Sequence, residues 1–419
     1  YNANDNFIYK GNTGSLVKSS YSFVNWNTNQ DGSGNQYCPY EKSLGGIVSN
    51  QDLYAQYIPG EFCIVGSNGE NNALLSDRGI ISEKNNAIYN KVFATGTDIY
   101  VSGGIYEDNV WKACFWKNNQ QSGALYIPNK YIIFNSIFYT NGIVYACGNN
   151  GNASWSNVIP LYAKYTDLNN YTYNNLTGPD TGNTANDVYS DGINLFAVGT
   201  GVGSVAKFWR HDGTTLYAKD LSGKETISLA VSGDKIFTVS RTGSANYSVQ
   251  ITTDLGSNFS TGVTTASNST VKHMAVNGNN IILVGRIGAG TDKAGYWYST
   301  DGGANFIGPI TLNQGVTPGG GIATGVTFIG SKAYIVGYDT DNESSGVYAQ
   351  LWIVNNLGET GIFYQLWKEK NAGDKYAFAK SISAKNYQIT FNPNGGAGTP
   401  YTQTIATGST APLMLSRFT

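Results

Sequence analysis

Asp98–Gly103 reads DIYVSG, and the same phrase returns along the chain: FCIVG at Phe62–Gly66, IVYACG at Ile143–Gly148, NLFAVG at Asn194–Gly199, KIFTVS at Lys235–Ser240, IILVG at Ile281–Gly285 and AYIVG at Ala333–Gly337. From Gly66 to Gly337 the six steps average about 45 residues. A period of that size marks a propeller or solenoid, in which one supersecondary unit cannot bury its faces alone. Before most phrases stand an apolar strand and a turn, as in NKVFATG, FNSIFYTNG, ANDVYSDG and VKHMAVNG. Asn141-Gly142 and Asp191-Gly192 are the strongest hairpin signals among these turns. After the phrase come a polar loop and an aromatic strand: KACFWK, LYAKYTD, VAKFWR, AGYWYSTD, YAQLWIV. Each unit therefore reads strand–turn–strand–loop–strand with a weaker fourth strand, a four-stranded antiparallel blade. The first unit lacks its own inner strand, and Tyr376–Ala384, which no phrase follows, is expected to return and complete it.

Composition agrees with an all-β chain. Among 419 residues there are 52 Gly and 30 Tyr, and charged residues make up only 13%. The net charge of −2 gives no electrostatic pull on nucleic acid or anionic lipid, so neither is an expected partner. No apolar run reaches the roughly 18 residues of a membrane span, so no insertion is expected. No signal peptide is read at the start, so the chain reads as a mature or trimmed product. Cys38, Cys63, Cys114 and Cys147 form no zinc spacing and read as buried thiols, with pairing left open.

The two ends read differently from the middle. Gly11–Leu16, Tyr21-Ser22-Phe23, Trp26-Asn27-Thr28, Asp31–Gly34 and Leu53–Tyr57 fall in the order of a Listeria–Bacteroides repeat, the internalin B-type module of bacterial surface proteins, which residues 1–58 resemble. The family's first strand is absent there. Tyr387–Pro400, with Phe391, Asn392, Asn394, Gly395 and Gly396, resembles the opening of another such repeat, and the chain stops before its later phrases. Two turns, Thr252–Phe259 and Ser299–Phe306, resemble the Asp-box, a structural hairpin of sialidases and other propellers. Physically, Asp caps its own turn, Gly takes positive φ, and the aromatic packs between blades.

The expected fold is thus all-β: a seven-bladed β-propeller over 59–385, closed by 376–384, with a β-grasp-like small module split between 1–58 and 386–419. The resemblance implies a bacterial, extracellular or cell-surface location.

The sequence names no ligand. The loops after the phrases are expected to share one rim, which makes Tyr106, Trp111, Trp155, Arg241, Arg286, Tyr338 and Asp339 candidates for binding a glycan or a protein. A sialidase needs three clamping arginines; of the five arginines only Arg241 and Arg286 stand in comparable places. His211 and His273 have no partner at ligand spacing, so neither a histidine triad nor zinc is expected. Asp339, Asp341 and Glu343 alternate on one loop, a weak calcium candidate without EF-hand spacing; otherwise no cofactor is expected. The chain is therefore expected not to be an enzyme. Two classes stay open: a non-enzymatic surface-binding or adhesion protein, and a head-to-tail filament subunit. In the filament, Tyr387, Ile389 and Phe391 of one copy complete the module built on Tyr21, Phe23 and Trp26 of another. A glycan-active enzyme is the distant third.

Overall fold

The computed structural model describes residues 18–38, 52–68, 73–77, 80–152, 158–176, 183–264, 269–288, 293–313, 320–340, 347–368, 377–394 and 396–418. Among them there is no helix; the order is strand after strand, in sheets of antiparallel neighbours. Five four-stranded sheets follow one another, the first being Tyr131–Thr140, Ile143–Gly151, Ile159–Tyr165 and Tyr171–Asn175. Each keeps sequence order, so every sheet is one repeat of the phrase and its flanking strands.

The inner strands are Ala87–Thr95, Tyr131–Thr140, Thr184–Ser190, Glu225–Ser232, Ser269–Asn277, Gly321–Ile329 and Ala377–Phe391. Each packs against the next, and the last returns to the first, which closes a ring of propeller type. The closing step is non-local: Ala377–Ala384 pairs antiparallel with Phe62–Asn68, more than 300 residues earlier in the chain.

The phrase glycine has a specific cause. Every inner strand carries a β-bulge at the same place, as between Tyr89 and Lys91, Phe134 and Ser136, or Ala185 and Asp187. Across the ladder, opposite the residue before the bulge, stand Gly103, Gly148 and Gly199. A Cβ at Gly103 would lie 1.7 Å from the Ile88 carbonyl oxygen, and at Gly199 1.8 Å from that of Thr184. The bulge presses the inner backbone onto the second strand, so only hydrogen fits. The KIFTVS unit departs from this: Ser240 faces Thr226, and their hydroxyls share a 3.0 Å hydrogen bond.

Packing between sheets is aromatic. Trp116, Trp209, Trp297 and Trp352 are fully buried on third strands, each opposite the residue two before a phrase glycine. Burial of a large apolar side chain contributes roughly 1.5–3 kcal/mol, so these four residues are a substantial share of inter-sheet cohesion. The four cysteines are buried thiols, none of them in a disulfide among the described residues; Cys38 Sγ donates to Gln365 Oε1 at 3.9 Å and Cys63 Sγ to Asp77 Oδ1 at 3.5 Å.

Turn chemistry follows the sequence. Asn141 and Gly142 both take positive φ, 51° and 78°, as a two-residue hairpin turn demands. Asp191 instead caps its turn, accepting from the Ile193 and Asn194 N–H groups at 2.9 and 2.6 Å. In Thr252–Phe259 and Ser299–Phe306, Asp254 and Asp301 accept the N–H of Asn258 and Asn305 at 2.9 and 3.0 Å. Hydrogen bonds from the Asn258 N–H, for Asp254, and from Ser299, for Asp301, hold each carboxyl down to about 2. Phe259 packs on Phe208 of the preceding sheet, centroids 5.2 Å apart.

Among the described residues of this one chain, the two ends stand in separate sheets. Tyr21–Asn27, Gln36–Tyr37 and Tyr54–Pro59 make their own three-stranded sheet, docked on Ile362–Lys368. The long strand Ala377–Phe391 runs on from its inner-strand half and pairs with Tyr401–Ala406. That hairpin lies over the turns of the ring. The Thr402 N–H donates to the Asp191 carbonyl, and its hydroxyl lies 2.6 Å from that of Thr140. Five residues on, the Thr407 carbonyl accepts from Gly330 N–H on the far side. The strand therefore spans the ring. The chain then passes along the turns in reverse: Thr410 N–H on Asn277, Leu415 N–H on Asp234, and Arg417 on Asp191 at 2.5 Å. One end of the central channel is stopped by the chain's own tail.

Candidate functional site: the open mouth of the channel

At the end opposite the tail, the bulges open into a cavity of about 530 Å³. A bulge turns one extra side chain of each inner strand toward the axis. Those seven positions are Asn90, Asn135, Asn186, Ile227, Lys272, Thr324 and Lys380, all lining the cavity.

Four of them have a structural task. Asn90 Nδ2 donates to the Phe134 carbonyl at 2.7 Å, Asn135 to Ala185 at 2.9 Å, and Asn186 to Thr226 at 2.8 Å. Thr324 Oγ1 donates to Ala379 at 2.6 Å. Each acceptor is the residue before the next unit's bulge, so the side chain clips neighbouring sheets together. Lys272 occupies the same position and makes no hydrogen bond or ion pair among the described residues; it is exposed to the cavity. Lys380 donates to the amide oxygen of Asn90 and has no carboxylate partner among the described residues. Burial pushes its ammonium down to about 8.

One residue further along each strand, the ring carries a buried polar network. Lys91 Nζ lies 2.8 Å from Asp187 Oδ1 and 2.9 Å from His273 Nε2. Asp187 is 3% exposed. Its Oδ1 also accepts from Ser136 Oγ at 2.7 Å and Val188 N–H at 3.1 Å; its Oδ2 accepts from Ser228 Oγ at 2.9 Å and Leu229 N–H at 3.1 Å. Burial alone would raise this carboxyl, but the Lys91 charge and the hydrogen bonds from Lys91 and Ser136 hold it below the usual range. Burial, then the charge of Lys91, drives His273 down to about 3. The imidazole is therefore neutral, with Nε2 against Lys91 and Nδ1 3.4 Å from the Val326 N–H that points at it. Six successive inner strands meet in this network.

His273 finds its hydrogen-bond partners on other inner strands: Lys91, 182 residues earlier, and Val326, 53 residues later. Among the rim candidates, Tyr338 lines the cavity, 6.4 Å from the Phe378 ring. Tyr106 and Trp111 face each other across a ladder at 5.3 Å, outside the cavity lining. Arg241 pairs with Glu225 at 3.3 Å, and Arg286 lies opposite Thr270 in its ladder. Second strands end where inner strands begin, so the expected rim and the mouth share one face. Chemistry-bearing groups stand on the inner strands, nearer the axis. Asp339 lies in the strand Lys332–Thr340. Trp155, Asp341 and Glu343 lie outside the described residues. No group of three His, Cys, Asp or Glu suited to a metal occurs among the described residues.

The missed residues had a signal. Asn90-Lys91, Asn135-Ser136, Asn186-Asp187, Lys272-His273 and Lys380-Ser381 are pairs of adjacent polar side chains inside apolar strands. Strict alternation would bury one of each pair against apolar neighbours, and a bulge is what lets both reach the axis.

No family model matches the chain, and no curated protein does. Among solved structures, it is similar to a polysaccharide lyase of family PL25, an ulvan lyase, at 10% identity and TM-score 0.48, over 67% of this chain and 83% of that one. The same lyase bound to a GlcA(1-4)Rha3S saccharide gives 10% identity and TM-score 0.48, over 76% and 92%. TolB from Acinetobacter baumannii gives 16% and 0.39, over 58% and 63%. The expectation that the chain is not an enzyme is corrected on this finding: structures similar to it include those of an enzyme, so its sheet arrangement does not set catalysis aside, and chemistry must be argued from the site.

Proposed function

We propose that the chain is a seven-bladed propeller of a bacterial cell surface whose channel mouth binds an anionic saccharide, a uronic-acid unit presented at a chain end. The observation that carries this is Lys272. Its ring position clips neighbouring sheets in four other units, yet here it holds an exposed ammonium with no partner among the described residues. Lys380 adds a second cation without a carboxylate, while Asp187 is already neutralised by Lys91. A carboxylate between the two lysines would gain charge-assisted hydrogen bonds, amide side chains would meet hydroxyls, and Tyr338 and Phe378 offer aromatic faces. The stopped far end favours a chain end over a threaded polymer. The seven phrases, the ring of inner strands and the repeat-like termini support the fold and the location.

Calorimetric titration of glucuronate against glucose tests this reading. Glucuronate should bind, glucose should not, and Lys272→Met should weaken glucuronate by about tenfold, the loss of one charge-assisted contact. Equal binding of both sugars, or full affinity in Lys272→Met, overturns it.

A second reading, self-assembly, has one observation in its favour. Beyond Asn386 the strand Ala377–Phe391 has only one edge paired, and Tyr387 and Ile389 stand 56% and 38% exposed. Sedimentation should then show association that Ile389→Lys abolishes; a monomer at high concentration refutes it.

A further inference from the structure

We propose that Lys380 is an amine nucleophile toward the carbonyl carbon of a ligand whose carboxylate Lys272 holds, the ligand class being an oxo acid; this deepens the anion-site reading above and rests on it.

The placement is built rather than incidental. Lys380 is the bulged residue of the strand that closes the ring, fixed on either side by the pairs Ala379 with Gly66 and Ser381 with Val65. The carbonyl just before it accepts the Thr324 hydroxyl. Its head is steered into the cavity and held by the amide oxygen of Asn90. An amide oxygen accepts an N–H from ammonium or amine alike, so it orients nitrogen without demanding charge. A carboxylate in that place would have locked the ammonium form, and none of the described residues supplies one. Lys91 follows Asn90 in the chain but is taken up by Asp187, while Lys272, one unit beyond Thr324, lines the same cavity with its ammonium unpaired among the described residues. Phe378 and Ile322 line the same cavity. Desolvation is a recognised route to a nucleophilic lysine. With its value near 8, about a fifth of Lys380 is neutral amine at pH 7.4, against about a thousandth for an ordinary lysine.

The step balances without an oxidant or reductant. The Nζ lone pair attacks the carbonyl carbon while the carbonyl π electrons move to oxygen. A proton passes from nitrogen to oxygen, giving a carbinolamine. The hydroxyl then leaves with one further proton as water, and a C=N bond replaces C=O. The carboxylate, paired with Lys272, keeps the carbonyl facing Lys380, and water leaves by the cavity mouth.

The test uses the whole chain with glyoxylate and sodium cyanoborohydride at pH 7.4, the hydride reducing any imine to a stable secondary amine, followed by peptide mass mapping. Lys380 should carry the adduct at about tenfold or more the level of any other lysine, and Lys272→Met should lower it severalfold. Lys380→Arg should remove that adduct while leaving the circular dichroism spectrum unchanged. Labelling spread evenly over the lysines, or concentrated elsewhere, overturns the proposal. Glyoxylate binding measured by NMR without reductant separates the two readings. Binding without an adduct overturns the nucleophile alone, and no binding overturns the anion site as well.

Discussion

Lowering the pH from 7 to 5 should cost the folded chain about 2 kcal/mol through His273 alone. In the unfolded chain a histidine titrates near 6.5; in the fold, burial and the Lys91 ammonium hold His273 at about 3. A depressed folded value means that the unfolded state binds more protons below 6.5, so stability falls as pH falls through that region and keeps falling toward 3. At pH 5 the unfolded state gains RT ln(1 + 10^1.5), about 2 kcal/mol, against about 0.2 kcal/mol at pH 7. The folded value need only lie below about 4 for this figure to hold. Asp187 titrates from a lowered value, so its own stabilisation persists until lower pH. The assay is urea unfolding at pH 7, 6 and 5, with His273→Gln and His211→Gln beside the parent chain. The parent and His211→Gln should lose midpoint on acidification, and His273→Gln should lose far less over the same interval. An equal loss in His273→Gln, or none in the parent, refutes the argument that a neutral imidazole is held beside the Lys91–Asp187 pair.

Three further outcomes follow from the ring. Gly199→Ala puts a Cβ 1.8 Å from the Thr184 carbonyl oxygen and should cost about 1–3 kcal/mol or more, whereas Ser240→Ala, which loses one hydrogen bond, should cost about 1 kcal/mol; urea midpoints read both. Asn135→Ala removes a clip and should cost about 1 kcal/mol, while Lys272→Met at the same ring position should lie within about 0.5 kcal/mol of the parent by thermal melting. Arg417→Ala leaves the Asp191 carboxylate, 1% exposed, without its cation; the tail should loosen locally, seen as faster hydrogen exchange at Thr402, Thr410 and Leu415 and earlier proteolysis after Ala406.

What the sequence made legible is what depends on neighbours along the chain. Phrase, turn and aromatic strand recur because each sheet is assembled from consecutive strands, and local pairing writes itself into local periodicity. The phrase glycine belongs to the same class, although its reason, a bulge pressing a carbonyl onto it, lies on the partner strand. The channel site is of another kind. Asp187 is satisfied by Lys91, Ser136 and Ser228, whose positions span 137 residues, and no spacing rule of helix or strand links them. They meet because the ring closes, a tertiary event that repeats one strand position at the axis. Bulges hid the site further, since a strand read with period two sends one of each polar pair to the wrong face. The tail shows the same limit from the other side. Its strand-forming pattern between Tyr387 and Ala406 was readable, but an open strand edge does not name its partner. Here the deciding contacts are Thr402 on Asp191 and Thr407 on Gly330, backbone bonds to the ring's own turns, which lay the tail across one end of the channel, with the lysines at the other. A ligand entering there must bring its charge in first, and Lys272 is where that charge would be met.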